Sequence, residues 1–518
     1  MPEAGRGVEI VLTSDLPTMS SFGNDPFKAF LCTFPHRFVR PFLEKYFEPQ
    51  LDREGHPLFA SYGLRKVESL LVHAFGEERV AVAHPSTLGK FVGEKTRVIG
   101  VSSHDPMGLA YVSRTYNTLL GLGGEAVNHY YFRQLMEHPV IRGRNRNTRL
   151  VVGGPGAWQI RELGLQEAFG IDVLVHGDAE RGLVEVMRDL LEGKEVGREV
   201  WLERVDPETD FIPPILRPSS YGCVEITRGC GRGCRFCSPT TRKPYSFPLD
   251  YVMREVEVNI RGGSRSLFVV TDDLFLYSVR PRFYPNREKL VELFSRMAAY
   301  PGVEEIHLSH AAMAPVVADP KMIEELTPIL LEKTKRRLNG EPYVTAEIGV
   351  ETGSIRLMEK NMHGKALPFS VRDWHEIVDT GLGILNDHSW YPLCTFLVGT
   401  PEETEEDTIQ TLELFDRIGD KKLFYVPVLF IPIKGTAWEN ERCVGLRNLS
   451  ELQWEVIARA WSRNLRIWKR NRERVIKTLG FLFFWSFLFW KHGPKCLRPV
   501  MRFLGVLPER RSLEGVKF

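Results

Sequence analysis

Five short apolar runs punctuate the first two hundred positions: Val8–Leu12, Val80–Ala83, Val98–Val101, Leu150–Val152 and Val173–Val175. Runs of this length read as buried strands. Each ends in small or turn-forming residues: Thr13-Ser14-Asp15, Pro85-Ser86, Ser102-Ser103, Gly153-Gly154-Pro155-Gly156 and Gly177-Asp178. Helical periodicity lies between them, as in Tyr62–Ala74 and Ala179–Leu191. This alternation predicts a doubly wound parallel sheet over residues 1–200, an α/β architecture that takes ligands at the carboxyl ends of its strands. Residues 198–220, ending in Phe211-Ile212-Pro213-Pro214-Ile215-Leu216-Arg217-Pro218-Ser219-Ser220, read as a linker. Strand–helix alternation resumes over 221–445. The strands expected there are Val224–Thr227, Ser266–Val270, Glu305–Ser309, Ala346–Val350, Gly383–Asn386, Leu393–Val398 and Phe424–Ile431. They predict a full or partial barrel of parallel strands, with functional groups following the strands.

Residues 446–518 have a different pattern. Leu452–Lys477 reads as a basic helix carrying Trp454, Trp461 and Trp468, and Leu479–Trp490 is almost wholly apolar. That apolar run is shorter than the ~20 residues a spanning helix needs. Two readings fit: an amphipathic anchor lying in a membrane surface, or helices packed on the barrel with their basic residues solvated.

Composition narrows the chemistry. Lys+Arg number 68 and Asp+Glu 66, so no global basic field for nucleic acid exists. The basic runs Arg142–Arg146 and 463–474 read as solvated faces, and no nucleic-acid partner is expected. Of eight cysteines, Cys32, Cys223, Cys394, Cys443 and Cys496 are scattered, whereas Cys230, Cys234 and Cys237 fall within eight residues. Clustered thiols outside a disulfide scaffold read as metal ligands in a reducing compartment. The start has no apolar leader segment, which points to the cytoplasm.

The segment Thr227-Arg228-Gly229-Cys230-Gly231-Arg232-Gly233-Cys234-Arg235-Phe236-Cys237 supplies three thiolates and glycines that let the backbone fold closely around a ligand. Thiolates are the usual ligands of iron–sulfur clusters. Three ligands on a four-iron cubane leave one iron open. The alternative is a tetrahedral zinc site with Cys223 as fourth ligand, although such sites are often built from two short cysteine pairs and a second pair is absent.

This loop resembles the signature of the radical S-adenosylmethionine (SAM) superfamily. Three further segments are similar to that superfamily's later motifs: Thr271-Asp272-Asp273-Leu274-Phe275, Gly349-Val350-Glu351-Thr352-Gly353-Ser354, and Phe396-Leu397-Val398-Gly399-Thr400-Pro401-Glu402-Glu403-Thr404. The resemblance implies a [4Fe–4S] cluster on Cys230, Cys234 and Cys237, and SAM bound at the open iron. It implies Asp273 at the amino group of SAM, with Asp272 left to the turn. It implies Glu351 at the ribose hydroxyls, the Ser354 segment beside it, Gly399 at the adenine, and Phe236 shielding cluster or adenine. Glu402 and Glu403 read as helix-start acids.

A doubly wound, Rossmann-like domain ahead of a radical SAM TIM-type barrel resembles the cobalamin-binding subclass. Cobalamin would then lie on Gly153, Gly154 and Gly177, with Ser102 and Ser103 nearby. The Asp–His–Gly context that supplies a lower axial histidine is missing around His84 and His104. The resemblance implies methyl transfer to an unactivated carbon of a protein, lipid or small molecule, a water-free cavity, and an electron donor such as ferredoxin or flavodoxin. Val11–Ser20 and Tyr62–Glu68 resemble archaeal members, which include enzymes forming rings in membrane-spanning lipids. Lipid cyclisation is therefore the second reading. A non-catalytic sensor is the third, although a sensor needs no SAM motifs.

Overall fold

The structure, a computed structural model, describes residues 7–120, 125–445 and 448–468, together with 485, 487, 488, 490, 491, 493 and 495. The chain forms two compact units. One comprises residues 1–117, 122–224 and 249–267, and the other 118–121, 225–248 and 268–518.

The first unit is built on β1 (Ile10–Ser14), β2 (Val80–Val82), β3 (Val98–Ser102), β4 (Arg149–Gly153), β5 (Val173–His176) and β6 (Glu199–Trp201). They form one sheet in the order β2-β1-β3-β4-β5-β6, every pairing parallel. Successive strand residues feed opposite faces. Val11, Ile99, Val101, Leu150, Val152 and Leu174 enter one core, and Ile10, Leu12, Val98, Val151, Val173 and Val175 the other. Burial on both faces is why these strands appear in sequence as unbroken apolar runs. β6 falls inside the stretch expected to be linker. Glu199 and Trp201 are exposed on this edge strand, so it lacks that signature.

The proline-rich segment after β6 is tied down. From α1 (Tyr62–Phe75), Arg65 donates to the Pro218 carbonyl (3.0 Å) and Ser69 to that of Pro214 (2.7 Å). Lys66 Nζ meets Glu255 (3.2 Å) on Leu249–Arg261, and Arg65 pairs with Glu68 (2.8 Å).

Two larger sheets follow along the chain. One has the order β9-β8-β7, from β7 (Cys223–Glu225), β8 (Ser266–Val270) and β9 (Glu305–Leu308). The other is the parallel series β10 (His310–Ala311), β11 (Glu347–Glu351), β12 (Leu393–Val398) and β13 (Phe424–Leu429). The expected barrel is therefore observed as a three-stranded and a four-stranded sheet. Only Ser309 separates β9 from β10. Its hydroxyl donates to the Thr271 carbonyl (3.1 Å), and its own carbonyl accepts from Glu347 N–H (2.8 Å).

One expected strand is wrong. Gly383–Asn386 lies inside the helix Trp374–Asp387. Its buried positions Trp374, Ile377, Val378, Gly381, Leu382 and Leu385 follow helical spacing. A side chain at Gly381 would strike Met313 Sδ at 2.5 Å, so this glycine serves close helix packing rather than a turn.

The helix Ile355–Asn361 and the helix Glu405–Arg417 share one carboxylate. Asp407 completes a capping box with Thr404 and accepts from Ser354 Oγ (2.5 Å) and Arg356 Nε (3.1 Å). Burial opposes its ionisation, but the bonds from Arg356, Ser354 and Thr404 prevail and hold its pKa at about 2, below the ordinary 3.8. A lowered folded pKa stabilises above the unfolded value and loses that stabilisation as pH falls through the folded one. Asp407→Asn is expected to cost roughly 2 kcal/mol at neutral pH, the order of a lost cap and a charged hydrogen bond. Urea unfolding should show the gap to the unsubstituted protein closing between pH 4 and pH 2.

The C-terminal helix is described over Glu451–Ile467, and the remainder of Leu452–Lys477 lies outside the described residues. Asn464 covers the edge strand: Tyr425 N–H donates to its Oδ1 (2.8 Å), and its Nδ2 donates to the Tyr425 carbonyl (2.7 Å). Trp454 packs edge-on against Trp485 at 6.0 Å, and Trp468 Nε1 donates to the Leu423 carbonyl (3.2 Å). Among the described residues, no helix is long and apolar enough to cross a membrane.

Candidate active site

β7 delivers the chain into a loop closed by a short antiparallel ladder, Thr227–Arg228 against Tyr245–Ser246. The three cysteines lie inside it. Gly229 adopts φ +83°, where a side chain would strike the Lys243 carbonyl at 2.5 Å, so only glycine fits this crossing. Its N–H donates to Asp272 Oδ2 (2.7 Å), and Cys230 N–H donates to the Pro239 carbonyl (3.1 Å). From the next segment, the Asn361 carbonyl accepts Arg235 N–H (3.0 Å).

All three thiols are free. Cys234 is buried, and Cys230 and Cys237 are half-buried. Burial raises the pKa of each, to about 12 for Cys230 and Cys237, and the neighbouring thiols add to the effect for those two. They therefore hold their protons at neutral pH until a metal displaces them. Among the described residues, no three His, Cys, Asp or Glu side chains converge on a point where a single metal ion could sit. The donor set fits a cluster, in which each thiolate takes its own iron. Cys223, the fourth ligand of the zinc alternative, has its thiol directed to the Ser220 carbonyl (3.2 Å).

The acidic residues have distinct settings. Asp273 is buried with both oxygens engaged: Oδ2 accepts from Arg232 Nη2 (2.9 Å) and Nε (3.2 Å), and Oδ1 accepts Phe275 N–H (3.1 Å) and Ala312 N–H (3.0 Å). A carboxylate so occupied has little acceptor capacity left for an ammonium, contrary to its expected role. It orients Arg232, which also donates to the Gly364 carbonyl (2.9 Å) and lies over the Phe283 ring (4.8 Å). Asp272, expected only at the turn, is the residue that fixes the cysteine loop through Gly229.

Glu351 sits at a bulge between β11 and β12 with φ +67°. Such backbone in a non-glycine residue costs about 1–3 kcal/mol and concentrates at functional sites. Its carboxylate accepts from Lys365 Nζ (3.1 Å) and Thr395 Oγ1 (3.3 Å). Burial alone would lower the Lys365 pKa, but Glu351 and the Cys234 and Cys237 thiols raise it above the usual lysine value. The Phe236 ring lies 6.0 Å from the same ammonium and 6.3 Å from the Trp438 ring.

Ser354 is fully buried and caps its helix, accepting Leu357 N–H (3.1 Å) while donating to Asp407, so its hydroxyl is spent on structure. Gly399 ends β12 and donates its N–H to Glu403 Oε2 (2.7 Å). Glu403 also accepts Thr400 N–H (2.8 Å), so it is a half-buried turn anchor rather than a surface helix-start acid.

In the first unit, the strand order reverses direction at β1 and β3, the switch point where doubly wound sheets take ligands. Ser102 and Ser103 fall there, Gly153 ends the adjacent β4 in register with Ser102, and Gly154 follows it. Ser103 Oγ donates to the Gly153 carbonyl (2.8 Å). Gly154 has φ +91°, and a side chain there would meet the Ser103 carbonyl at 2.5 Å. Gly177 is one strand further out, and the Leu202 carbonyl occupies the place of any side chain (2.2 Å). Packing alone therefore accounts for it. Asp15 ends β1 at the same switch point, and burial lifts its carboxyl to about 6. Burial pushes the half-capped His84 imidazole down to about 4, so it is neutral at pH 7.

Residues 224–415 match the family model of the radical SAM superfamily. The chain carries a radical SAM domain. That domain implies a [4Fe–4S] cluster and SAM. Among curated proteins, the ribosomal protein uS12 methylthiotransferase RimO of Stenotrophomonas maltophilia is 26% identical over 279 residues, covering 52% of this chain and 56% of that protein. RimO of Acidithiobacillus ferrooxidans is 28% identical over 235 residues (41% and 48%). The tRNA-2-methylthio-N(6)-dimethylallyladenosine synthase of Vesicomyosocius okutanii subsp. Calyptogena okutanii is 23% identical over 300 residues (57% and 62%). The chain spans about half the length of the curated relatives it matches. These relatives are bacterial, so the archaeal resemblance finds no support among them. Among solved structures, the fold is similar to the radical SAM methyltransferase TsrM of Kitasatospora setae, solved with cobalamin and a [4Fe–4S] cluster. The TM-score is 0.51 at 14% identity, over 84% of this chain and 77% of that one.

Lys365, Thr395, Arg232 and Trp438 were not legible as site residues. Lys365, Thr395 and Trp438 reach the radical SAM site from distant segments, and Arg232, though inside the cysteine loop, is tied to Asp273 41 positions away; none carries a spacing signal of its own.

Proposed function

We propose that this chain is a cobalamin-dependent radical SAM enzyme that transfers a methyl group to an unactivated carbon. The observation that carries the proposal is the six-stranded parallel sheet ahead of the radical SAM domain, whose switch point brings together Ser102, Ser103, Gly153 and Gly154. TsrM, with a similar fold, was solved with cobalamin bound. When bound, the cluster supplies the electron that cleaves SAM to a 5′-deoxyadenosyl radical.

The chain's own residues hold and shield. Cys230, Cys234 and Cys237 would ligate the cluster, and Asp272 holds the loop that bears them. Glu351 would accept the ribose hydroxyls, with Thr395 and Lys365 fixing its carboxylate. Phe236 would shield the cluster side of SAM, and Gly399 would line the adenine. Asp273 acts at one remove, by orienting Arg232. A one-electron donor such as ferredoxin or flavodoxin completes the system.

Methylthio transfer is the second reading, favoured by the activities named for RimO and the tRNA synthase. It requires a sulfur source besides the radical SAM cluster. The other five cysteines are scattered, and residues 7–120 and 125–222 contain only Cys32, so no second clustered thiolate set is visible. The lipid reading leaned on Leu479–Trp490, where Trp485 and Leu488 are fully buried among the described residues. Protein grown with cobalamin is expected to carry a corrin absorption spectrum. A product without corrin bands would displace methyl transfer from first place. Mass spectrometry of peptides and lipids from a deletion strain separates a missing methyl from a missing methylthio group.

A further inference from the structure

Asn361 is 1% exposed, and neither its Oδ1 nor its Nδ2 has a hydrogen-bond partner in the protein. A carboxamide offers two donor hydrogens and an accepting oxygen. Leaving such a group buried and unmet costs about 1–3 kcal/mol, which is why native proteins rarely do so. The helix position would take a leucine or methionine readily, because Asn361 shares its buried face with Leu357 and Met358. A polar residue there needs a partner that the polypeptide does not supply.

The surroundings indicate that partner. The Asn361 backbone carbonyl accepts Arg235 N–H, between Cys234 and Cys237. Two residues on, the His363 ring lies 3.6 Å from where a side chain at Gly233 would begin. Gly364 is pressed so close to the Arg232 carbonyl that a side chain would meet it at 1.8 Å. The charge of Lys365 acts on the Cys234 and Cys237 thiols. Residues 361–365 therefore line the cysteine loop from residue 232 to 235, with the unmet carboxamide at one end and an ammonium at the other.

We propose that the Asn361 carboxamide hydrogen-bonds to a sulfur of the iron–sulfur cluster and thereby tunes its reduction potential. The inference rests on the radical SAM reading. Hydrogen bonds to cluster sulfurs stabilise the reduced, more negative state and raise the potential. Asn361 is a positioning and tuning residue, since the reacting atoms are those of SAM.

The test uses reconstituted full-length protein, comparing Asn361→Leu and Asn361→Gln with the unsubstituted chain. The readouts are iron content, redox titration followed by electron paramagnetic resonance, and double-resonance spectra after exchange into deuterated water. Asn361→Leu is expected to retain full iron, titrate at a more negative potential and lose an exchangeable deuteron coupled to the cluster. Asn361→Gln is expected to restore part of that potential shift. Full iron with an unchanged potential and unchanged deuteron coupling in Asn361→Leu would overturn the inference, leaving the amide paired with buried water. A colourless, iron-free unsubstituted protein would instead overturn the radical SAM reading itself.

Discussion

Cys234→Ala is expected to leave a folded protein without its cluster and without any 5′-deoxyadenosine formation from SAM. Cys234 is the most enclosed of the three sulfurs, at 6% exposed, and its thiol lies within the field of the Lys365 ammonium. Removing it takes away one of three thiolate ligands on a cubane that has no spare protein ligand. Cys223 is directed to the Ser220 carbonyl, and Cys394 is fully buried in β12. The cost to the fold is small by comparison: trimming one sulfur from a loop carries roughly 1 kcal/mol, the middle of the range for single substitutions. Iron content should fall from about four per chain to near zero, while circular dichroism barely moves. Deoxyadenosine released at the rate of the unsubstituted protein would refute the cysteine assignment, whatever the iron assay gave.

What the sequence made legible follows from where each signal originates. β8 at Ser266–Val270 and β12 at Leu393–Val398 were placed to the residue, because the run of apolar positions is itself the strand. β6 was missed because an exposed edge strand has no apolar face to display. Gly383–Asn386 was misplaced because a short apolar stretch inside a helix reads like a strand, and Gly381 just before it is small to admit Met313. The cysteine loop needed no fold to be recognised, since its three ligands are neighbours in sequence. The acidic residues did: Asp273 is claimed by Arg232, 41 positions upstream, and no local pattern records that ion pair. The tail could not be weighed from hydropathy alone, because an apolar run packed on other aromatic residues, as Trp485 is on Trp454, has the composition of one that meets a lipid.

Glu351→Gln is expected to weaken SAM binding by roughly 10–100-fold while leaving the cluster in place, the loss of about 1.5–3 kcal/mol that a charged acceptor contributes to bound hydroxyls. Glutamine keeps the length and the planar end of the side chain, so it removes charge rather than shape. The same substitution deprives Lys365 of its counter-charge beside the thiols, leaving the half-buried ammonium with the Gly349 carbonyl (2.9 Å) and the Cys234 and Cys237 thiols. Two consequences can be told apart. If Glu351 binds SAM, the dissociation constant rises in Glu351→Gln, and Lys365→Met alone changes it less. If Glu351 serves only to neutralise Lys365, the double variant Glu351→Gln/Lys365→Met restores the original affinity, because the stranded cation is gone. Glu351→Gly supplies the backbone control: at φ +67° glycine relieves strain of about 1–3 kcal/mol, which offsets part of the loss of the Lys365 ion pair, and this variant should still bind SAM poorly. Iron content measured on each sample keeps cluster loss from passing as weak SAM binding. An affinity unchanged in both single variants at position 351 would show that the strained carboxylate at the end of β11 has no contact with SAM.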